Sequence, residues 1–394
     1  MSEIVLSEEQ QTAVNMALKG NNLLILGGSG TGKSTVISAI VSEMRKLGRK
    51  VAVTATTGIA SDLIGGTTIN SLLGTFNGCI DERTDFDHTA DLIKGIDTII
   101  VDEISMFTAQ MMRFMHYSFK YIKKDVQVIF VGDFHQLSPV QGDYAFATRE
   151  WNELCLDFFE LTQVQRQKTV SMKRNLQLVA DGDYDSRWFF LNNSAKEELD
   201  AIYLCGSNRQ VREMNSRKMI SLPGKEICFP AVYSGEVDFD HLPLEKELVF
   251  KLGMKVMALK NDSCGHYKNG SIGIVRDIYE ERKEVIVDFG KGKLSSITYT
   301  DFSYDSNLEG NASISISQLP LRPAYAMTIH KSQGHTFDRA NIFTGSCFCV
   351  GQLYVALSRV KDVSGIHIMN GIWPNNYMTS ALVQTFYKRL RCAA

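Results

Sequence analysis

The chain has 394 residues, enough for two or three domains. Hydrophobic residues make up 44% of it and charged residues 22%, with only 7 prolines, a balance that excludes a disordered or collagen-like chain and fits a globular protein with large cores. Lys and Arg total 42 against 44 Asp and Glu, a net charge of −2, so the field of the whole molecule does not attract phosphates and any nucleic-acid site must be a local channel.

The opening residues lack a basic segment followed by an apolar one, and no apolar run approaches the roughly 18 residues of a membrane helix. The reading is a soluble intracellular protein with no membrane partner. The 8 Cys are scattered through apolar segments without a C-x-x-C pair, as expected of reduced thiols. Cys264, His266, Cys347 and Cys349 have zinc-binding chemistry but no ligand-pair spacing, and they read as buried small hydrophobes.

Short apolar strands alternate with helical stretches from residue 1 to about 160, the pattern of a parallel sheet covered by helices. The expected strands are Asn22–Leu26, Lys50–Ala55, Thr98–Val101, Val126–Val131 and Phe158–Leu161. Between them, residues 81–97 carry six acidic and two basic residues and read as a solvated loop. The alternation resumes with a strand at Ala201–Cys205 and a helix at Asn208–Leu222. From about 248 to 317 the pattern turns to short, Gly-punctuated strands, at Lys255–Leu259, Ser271–Asp277, Glu284–Phe289 and Ile297–Phe302, as in a small barrel inserted in a second α/β domain. Strands at Tyr325–His330, Asn341–Phe343 and Ile366–Met369 and helices at Gln352–Ser358 and Thr379–Leu390 complete the chain.

The first strand runs into Gly27-Gly28-Ser29-Gly30-Thr31-Gly32-Lys33-Ser34-Thr35 and then an amphipathic helix. In this strand, G-x-x-x-x-G-K-S, helix arrangement, backbone N–H groups cradle phosphates, Lys33 reaches the β- and γ-phosphates, and the Ser34 hydroxyl binds Mg²⁺. The strand Thr98–Val101 ends in Asp102 and Glu103. Asp102 holds the water shell of Mg²⁺ and Glu103 orients and deprotonates the attacking water. Gln136, after the next strand, is either a turn residue or an amide that senses the γ-phosphate. Ser7 and Gln10 match a helix capping box. Gln10 also has the amide to pair with adenine.

With these motifs in place the chain resembles the superfamily-one DNA helicases of the 5′-to-3′ branch, most closely the Pif (petite integration frequency) family, with more distant likeness to Dda-like and RecD-like helicases. The resemblance runs nearly end to end. It is carried by Thr54-Ala55-Thr56-Thr57-Gly58-Ile59-Ala60-Ser61, Gly65-Gly66-Thr67-Thr68-Ile69-Asn70-Ser71, Val101-Asp102-Glu103-Ile104-Ser105-Met106, Gly132-Asp133-Phe134-His135-Gln136-Leu137-Ser138-Pro139, Leu161-Thr162-Gln163-Val164-Gln165-Arg166-Gln167, Ile329-His330-Lys331-Ser332-Gln333-Gly334-His335-Thr336 and Tyr354-Val355-Ala356-Leu357-Ser358-Arg359.

The resemblance implies an α/β fold of two RecA-like P-loop NTPase domains, at 1–165 and 166–394. It also implies a wedge subdomain at about 75–97 and an SH3-like β-rich insertion at about 248–317. ATP and Mg²⁺ are then the cofactors. The nucleotide cleft is formed by Gln10, Gly28, Ser29, Gly30, Thr31, Gly32, Lys33, Ser34, Thr35, Asp102, Glu103, Gln136 and Gly334. Arg166 and Arg359 reach the γ-phosphate from the second domain. Single-stranded DNA is expected along Thr54, Thr57, Asn70, Ser71, Phe134, His330, Lys331, Ser332 and Gln333. Many relatives have His where Asn70 stands, so the grip on this side is either weaker or shifted to Phe76 or Phe134, each equally readable as a core aromatic. The implied activity is ATP-dependent 5′-to-3′ translocation and unwinding of tailed or forked duplex by a monomeric motor, in DNA replication, repair and recombination. An ATP-switched single-strand-binding or remodelling protein, and an RNA helicase, are the alternatives.

Overall fold

The computed structural model describes residues 6–75, 86–123, 125–139, 142–167, 169–235, 237, 239, 244–262, 264–290, 294–305 and 313–393. They form two compact units. The first is Met1–Asp200, Leu204–Gly206 and Thr328–Ala394, and the second is Ala201–Tyr203 and Ser207–Met327.

In the first unit, β1 (Leu23–Gly27), β2 (Val51–Ala55), β3 (Thr67–Thr68), β4 (Thr98–Asp102), β5 (Gln127–Gly132) and β6 (Asp157–Leu161) make one sheet in the order β3-β2-β4-β5-β1-β6. Every pairing is parallel, with Leu26 opposite Gly132 and Ala55 opposite Asp102. Side chains alternate across a strand, and here both sets are apolar. Leu24, Leu26, Ile99, Val101, Val128 and Phe130 face one core, whereas Leu23, Ile25, Val53, Ile100, Ile129 and Val131 face the other. The second of these cores is closed by α1 (Glu8–Leu18) and α2 (Lys33–Lys46) through Ala13, Val14, Ala17, Val36, Ile37, Ile40 and Met44. Each such Leu, Ile or Val contributes about 1.5–3 kcal/mol by leaving water.

Five of the expected strands thus lie within about a residue of their places. Three readings are corrected. Phe86–Lys94 is a helix, not a loop, and its Ile93 is buried in the first core because the apolar positions follow a helical period. The described part of the proposed wedge is Thr75 and residues 86–97, most of it this helix, and residues 76–85, Phe76 among them, lie outside the described residues. The boundary at 165 does not divide the molecule. The helices Val170–Asp181 and Ala381–Ala393 belong to the first unit, and Val383 and Tyr387 of the last helix are buried in the core of the six-stranded sheet, with Phe386 and Leu390 beside them. Phe134 is a core aromatic with no exposed surface, set edge-on to Phe146 at 4.9 Å and Phe386 at 5.4 Å. It offers no face to a base.

The second unit is β-rich from residue 227 onward, earlier than the expected 248. Leu294–Ile297, Glu284–Asp288, Ile272–Tyr279, Lys255–Ala258 and Leu321–Pro323 make an antiparallel five-stranded sheet in that order. Phe229, Leu248, Phe250, Val256, Val275, Val285, Val287 and Leu321 fill its core. The strand expected at Ile297–Phe302 is two strands, the second of which, Thr300–Asp305, pairs with Ser313–Gln318 in another sheet.

Replacing Phe134 by Ala is expected to lower stability by about 3–5 kcal/mol, the usual cost of deleting a buried aromatic. Urea unfolding measures this, and an unchanged midpoint would return Phe134 to the surface.

Candidate active site

The loop after β1 delivers backbone amides to the start of α2. Gly32 stands before α2 at φ +84, and no side chain caps the helix there, which leaves an N-terminus suited to anions. Two glycines are set by conformation, and at Gly30 by space as well. A Cβ on Gly32 would lie 2.3 Å from Gln10 Nε2, and one on Gly30, at φ +86, would lie 2.5 Å from Arg166 Cβ. Lys33 Nζ donates to the carbonyls of Gly27 at 2.7 Å and Gly28 at 3.1 Å. Burial pushes the Lys33 ammonium below the ordinary lysine value, against the attraction of Asp133, Glu103 and Asp102.

Gln10 sits against this loop as expected, but its amide is already engaged at both ends. Its oxygen accepts from Ser7 N–H at 3.0 Å, completing the capping box, and its Nε2 donates to Thr31 O at 3.2 Å. Thr31 Oγ1 donates to Gly28 O within the loop, Ser34 is exposed at its end, and Thr35 is half-buried.

Asp102 ends β4, and Glu103 follows at φ +54, a left-handed conformation that costs a non-Gly residue about 1–3 kcal/mol and concentrates at functional sites. Glu103 N–H donates to Asp102 Oδ1 at 2.8 Å. Burial and the neighbouring Glu103 raise the Asp102 carboxyl to about 7. Gln333 Nε2 donates to Glu103 Oε2 at 2.9 Å and to Gln136 Oε1 at 3.4 Å, while Gln136 Nε2 reaches Asp133 Oδ2 at 3.4 Å. Gln333, expected on DNA, therefore stands in the carboxylate cluster: it is buried and its amide nitrogen is spent there, while among the described residues its Oε1 has no hydrogen-bond partner. Asp133 had no role in the sequence reading. Burial works to raise its pKa, but the hydrogen bond and charge of His135 and the charge of Lys33 hold it at about 2.

The two arginines meet at one atom. Arg166 Nη1 donates to Ser29 Oγ at 2.8 Å, and Arg359 Nη2 donates to the same oxygen at 2.7 Å. The backbone amides of Gln165 and Arg166 both donate to Gly30 O, at 2.7 and 3.1 Å, which fastens the Arg166 segment directly onto the phosphate loop. Burial lowers Arg166 to about 10, assisted by the positive charge of Arg359. Among the described residues neither guanidinium is salt-bridged to a carboxylate. Two converging cations beside the uncapped start of α2 suit an anion. Tyr354, a second residue without a role in the sequence reading, accepts from Ser29 N–H at 2.8 Å and donates to Asp133 Oδ2 at 3.0 Å.

The expected DNA contacts divide. Thr54 is buried, its hydroxyl donating to Ile100 O, and Ser332 is buried, its hydroxyl donating to Ile329 O. Both hydroxyls serve the local backbone instead of a phosphate. Thr57 Oγ1 accepts from Ala60 N–H, and Asn70 Oδ1 accepts from Thr75 Oγ1. Ser71 is exposed, while His330 and Lys331 are half-buried beside Gly334 at φ +82. Burial lowers the His330 pKa. Among the described residues no group of three His, Cys, Asp or Glu is arranged to hold a metal, and Cys264 and His266 fall in a different unit from Cys347 and Cys349.

Comparison with known proteins agrees with this geometry. A family model described as an AAA domain matches residues 5–198. The chain is 31% identical to the ATP-dependent DNA helicase Pif1 of Bdellovibrio bacteriovorus, covering 98% of this chain and 92% of that one. The crystal structure of Pif1 helicase from Candida albicans superposes with a TM-score of 0.90 at 26% identity, over 98% of this chain and all of that one. Pif1 helicase from Bacteroides in complex with ADP-AlF3 and single-stranded DNA gives a TM-score of 0.83 at 26% identity, over 99% and 98% of the two chains.

Gly30→Ala combines left-handed strain of about 1–2 kcal/mol with displacement of the Arg166 backbone. Nucleoside triphosphate affinity, read by fluorescence titration, is expected to fall on the order of tenfold or more.

Proposed function

The chain belongs to the Pif1 family of ATP-dependent DNA helicases, and on that footing we propose how its residues divide the work of ATP-driven translocation along DNA. It is an ATP-dependent DNA helicase of two RecA-like α/β folds that acts on single-stranded and forked DNA, as its relatives' structures with these substrates support. One observation carries the assignment of the nucleotide site: Arg166 and Arg359 converge on Ser29 of the phosphate loop.

In this reading the loop amides and Lys33 hold the β- and γ-phosphates, and Glu103 takes the proton of the attacking water. Gln136 and Gln333 orient that water, while Arg166 and Arg359 stabilise the charge of the transferring phosphoryl. Mg²⁺ fits the donor set: the exposed Ser34 hydroxyl and the buried Asp102, whose carboxyl is pushed up by burial and by the neighbouring Glu103. When bound it neutralises charge between the phosphates. The chain supplies both arginines itself, which supports a monomeric motor.

DNA is assigned to Thr57, Asn70, Ser71, His330 and Lys331. Contacts of this kind position a backbone without reading sequence, as a translocase requires. The segment at about 75–97 is the proposed wedge, the β-rich stretch at about 248–317 of the second unit the SH3-like insertion, and movement is 5′-to-3′, as the family resemblance implies. Among the described residues no helix is long and apolar enough to cross a membrane. An intracellular, soluble location where DNA is found belongs to the same proposal.

Lys33→Ala is expected to abolish ATP turnover and leave single-strand binding largely intact, measured in parallel. Arg166→Ala and Arg359→Ala are each expected to lower DNA-stimulated kcat by roughly 10³-fold or more, the usual weight of such a residue, with a far smaller loss of nucleotide affinity. A duplex with a 5′ tail is expected to be unwound and one with only a 3′ tail left intact. The reverse result would remove the polarity and leave the ATPase standing.

A further inference from the structure

The six-stranded sheet's core and the nucleotide site are joined by one side chain from the far end of the chain. Tyr387 lies in the helix Ala381–Ala393 and is buried. Its hydroxyl donates to Asp133 Oδ1 and accepts from Phe134 N–H, each at 3.2 Å, and its ring stacks on His135 at 4.3 Å between centroids. The helix is seated by packing: Val383 is in the sheet core, and Phe386 stacks on Phe146 at 4.2 Å.

The arrangement at Asp133 is paired. Tyr354 accepts from the phosphate-loop amide of Ser29 and donates to Oδ2, whereas Tyr387 accepts from the amide of Phe134 and donates to Oδ1. His135 supplies its backbone N–H, at 3.0 Å, to Oδ1 as well. Gln136 reaches Oδ2 only at 3.4 Å, a long and weak bond, so the position of its amide depends on how firmly the carboxylate is held. Packing alone does not call for a phenol here. A phenylalanine fills the same core, and burying a hydroxyl costs free energy unless it is used.

We propose that Tyr387 is a positioning residue for ATP hydrolysis: from the last helix its hydroxyl fixes the Asp133 carboxylate, and through it the phosphate-sensing Gln136 and, by way of Tyr354, the phosphate loop. This rests on the nucleotide-site reading above and assigns the C-terminal helix a part in that site. Among the described residues Tyr387 hydrogen-bonds to Asp133 and Phe134 and not to the phosphate loop or Gln136, so its effect falls on the arrangement reached during reaction and not on ground-state binding.

The test is steady-state ATP turnover by the full chain with saturating single-stranded DNA. Tyr387→Phe, which keeps the ring and its stacking, is expected to lower kcat about tenfold, with KM for ATP and single-strand affinity essentially unchanged and the melting temperature lowered by only a few degrees for the unpaired Phe134 N–H. Tyr354→Phe is expected to lower kcat too, and the double variant to lose much less than the product of the two losses, since both hydroxyls act through one carboxylate. An unchanged kcat in Tyr387→Phe would overturn the proposal. So would multiplicative losses in the double variant, or a fall in kcat accompanied by equal losses of affinity and stability, which marks a packing role. Lys33→Ala separates the two levels: if it still turns over ATP the nucleotide-site reading fails, and if it is inactive while Tyr387→Phe matches the parent, only the role of Tyr387 fails.

Discussion

Six ionisable side chains held largely out of water around one loop are the constraint that organises this molecule. Lys33, Arg166 and Arg359 stand among Asp102, Glu103 and Asp133. Burying so much charge is tolerable only where groups neutralise or hydrogen-bond one another, and the surroundings sort the carboxyls accordingly. Asp133, with hydrogen bonds on both oxygens and Lys33 nearby, is held at about 2 as a permanent anion, whereas Asp102, beside Glu103, is raised to about 7. Two carboxyls of one kind thereby acquire different chemistry, a division typical of sites that handle phosphate and protons together. The arginines are balanced less completely. They share Ser29 Oγ, a neutral acceptor that a phosphate oxygen outcompetes.

The sheet makes this concentration possible. β1, β4 and β5 are parallel neighbours buried on both faces, so their C-terminal ends deliver the phosphate loop, Asp102 and Asp133 to one edge. Crossover connections place catalytic loops at that edge in such sheets. The opposite set of constraints comes from packing. The aromatic cluster of Phe134, Phe146, Trp151 and Phe386 locks the last helix under the loop that carries Gln136, so core stability and site geometry are one problem here.

Among the residues expected on DNA, the structure separates buried side chains from exposed ones. Thr54, Ser332, Gln333 and Phe134 stand in segments that resemble a DNA channel, yet each is buried and engaged inside the protein. A motif places a segment and leaves open which way each side chain points. In a strand or a tight turn, neighbouring residues face opposite ways, and Thr57 or Lys331 can line a surface while Thr54 or Ser332 stitches the backbone beneath it.

What the amino-acid sequence determined by itself was whatever is local. The glycine-rich loop between an apolar strand and an amphipathic helix, the carboxylates at the end of β4, the parallel strands within about a residue of their ends, and the capping box at Ser7 and Gln10 all follow from spacing and residue chemistry over a few residues. Only the tertiary structure decided what depends on distant segments meeting. The stripe of Val383, Phe386, Tyr387 and Leu390 announces a helix with one buried face but carries no mark of the sheet it covers. Asp133 shows as an acid after a strand, but not as the acceptor of two tyrosines from 221 and 254 residues away. Hydrophobic periodicity encodes that a face is buried, and the partner is settled by the shape and packing of the whole core.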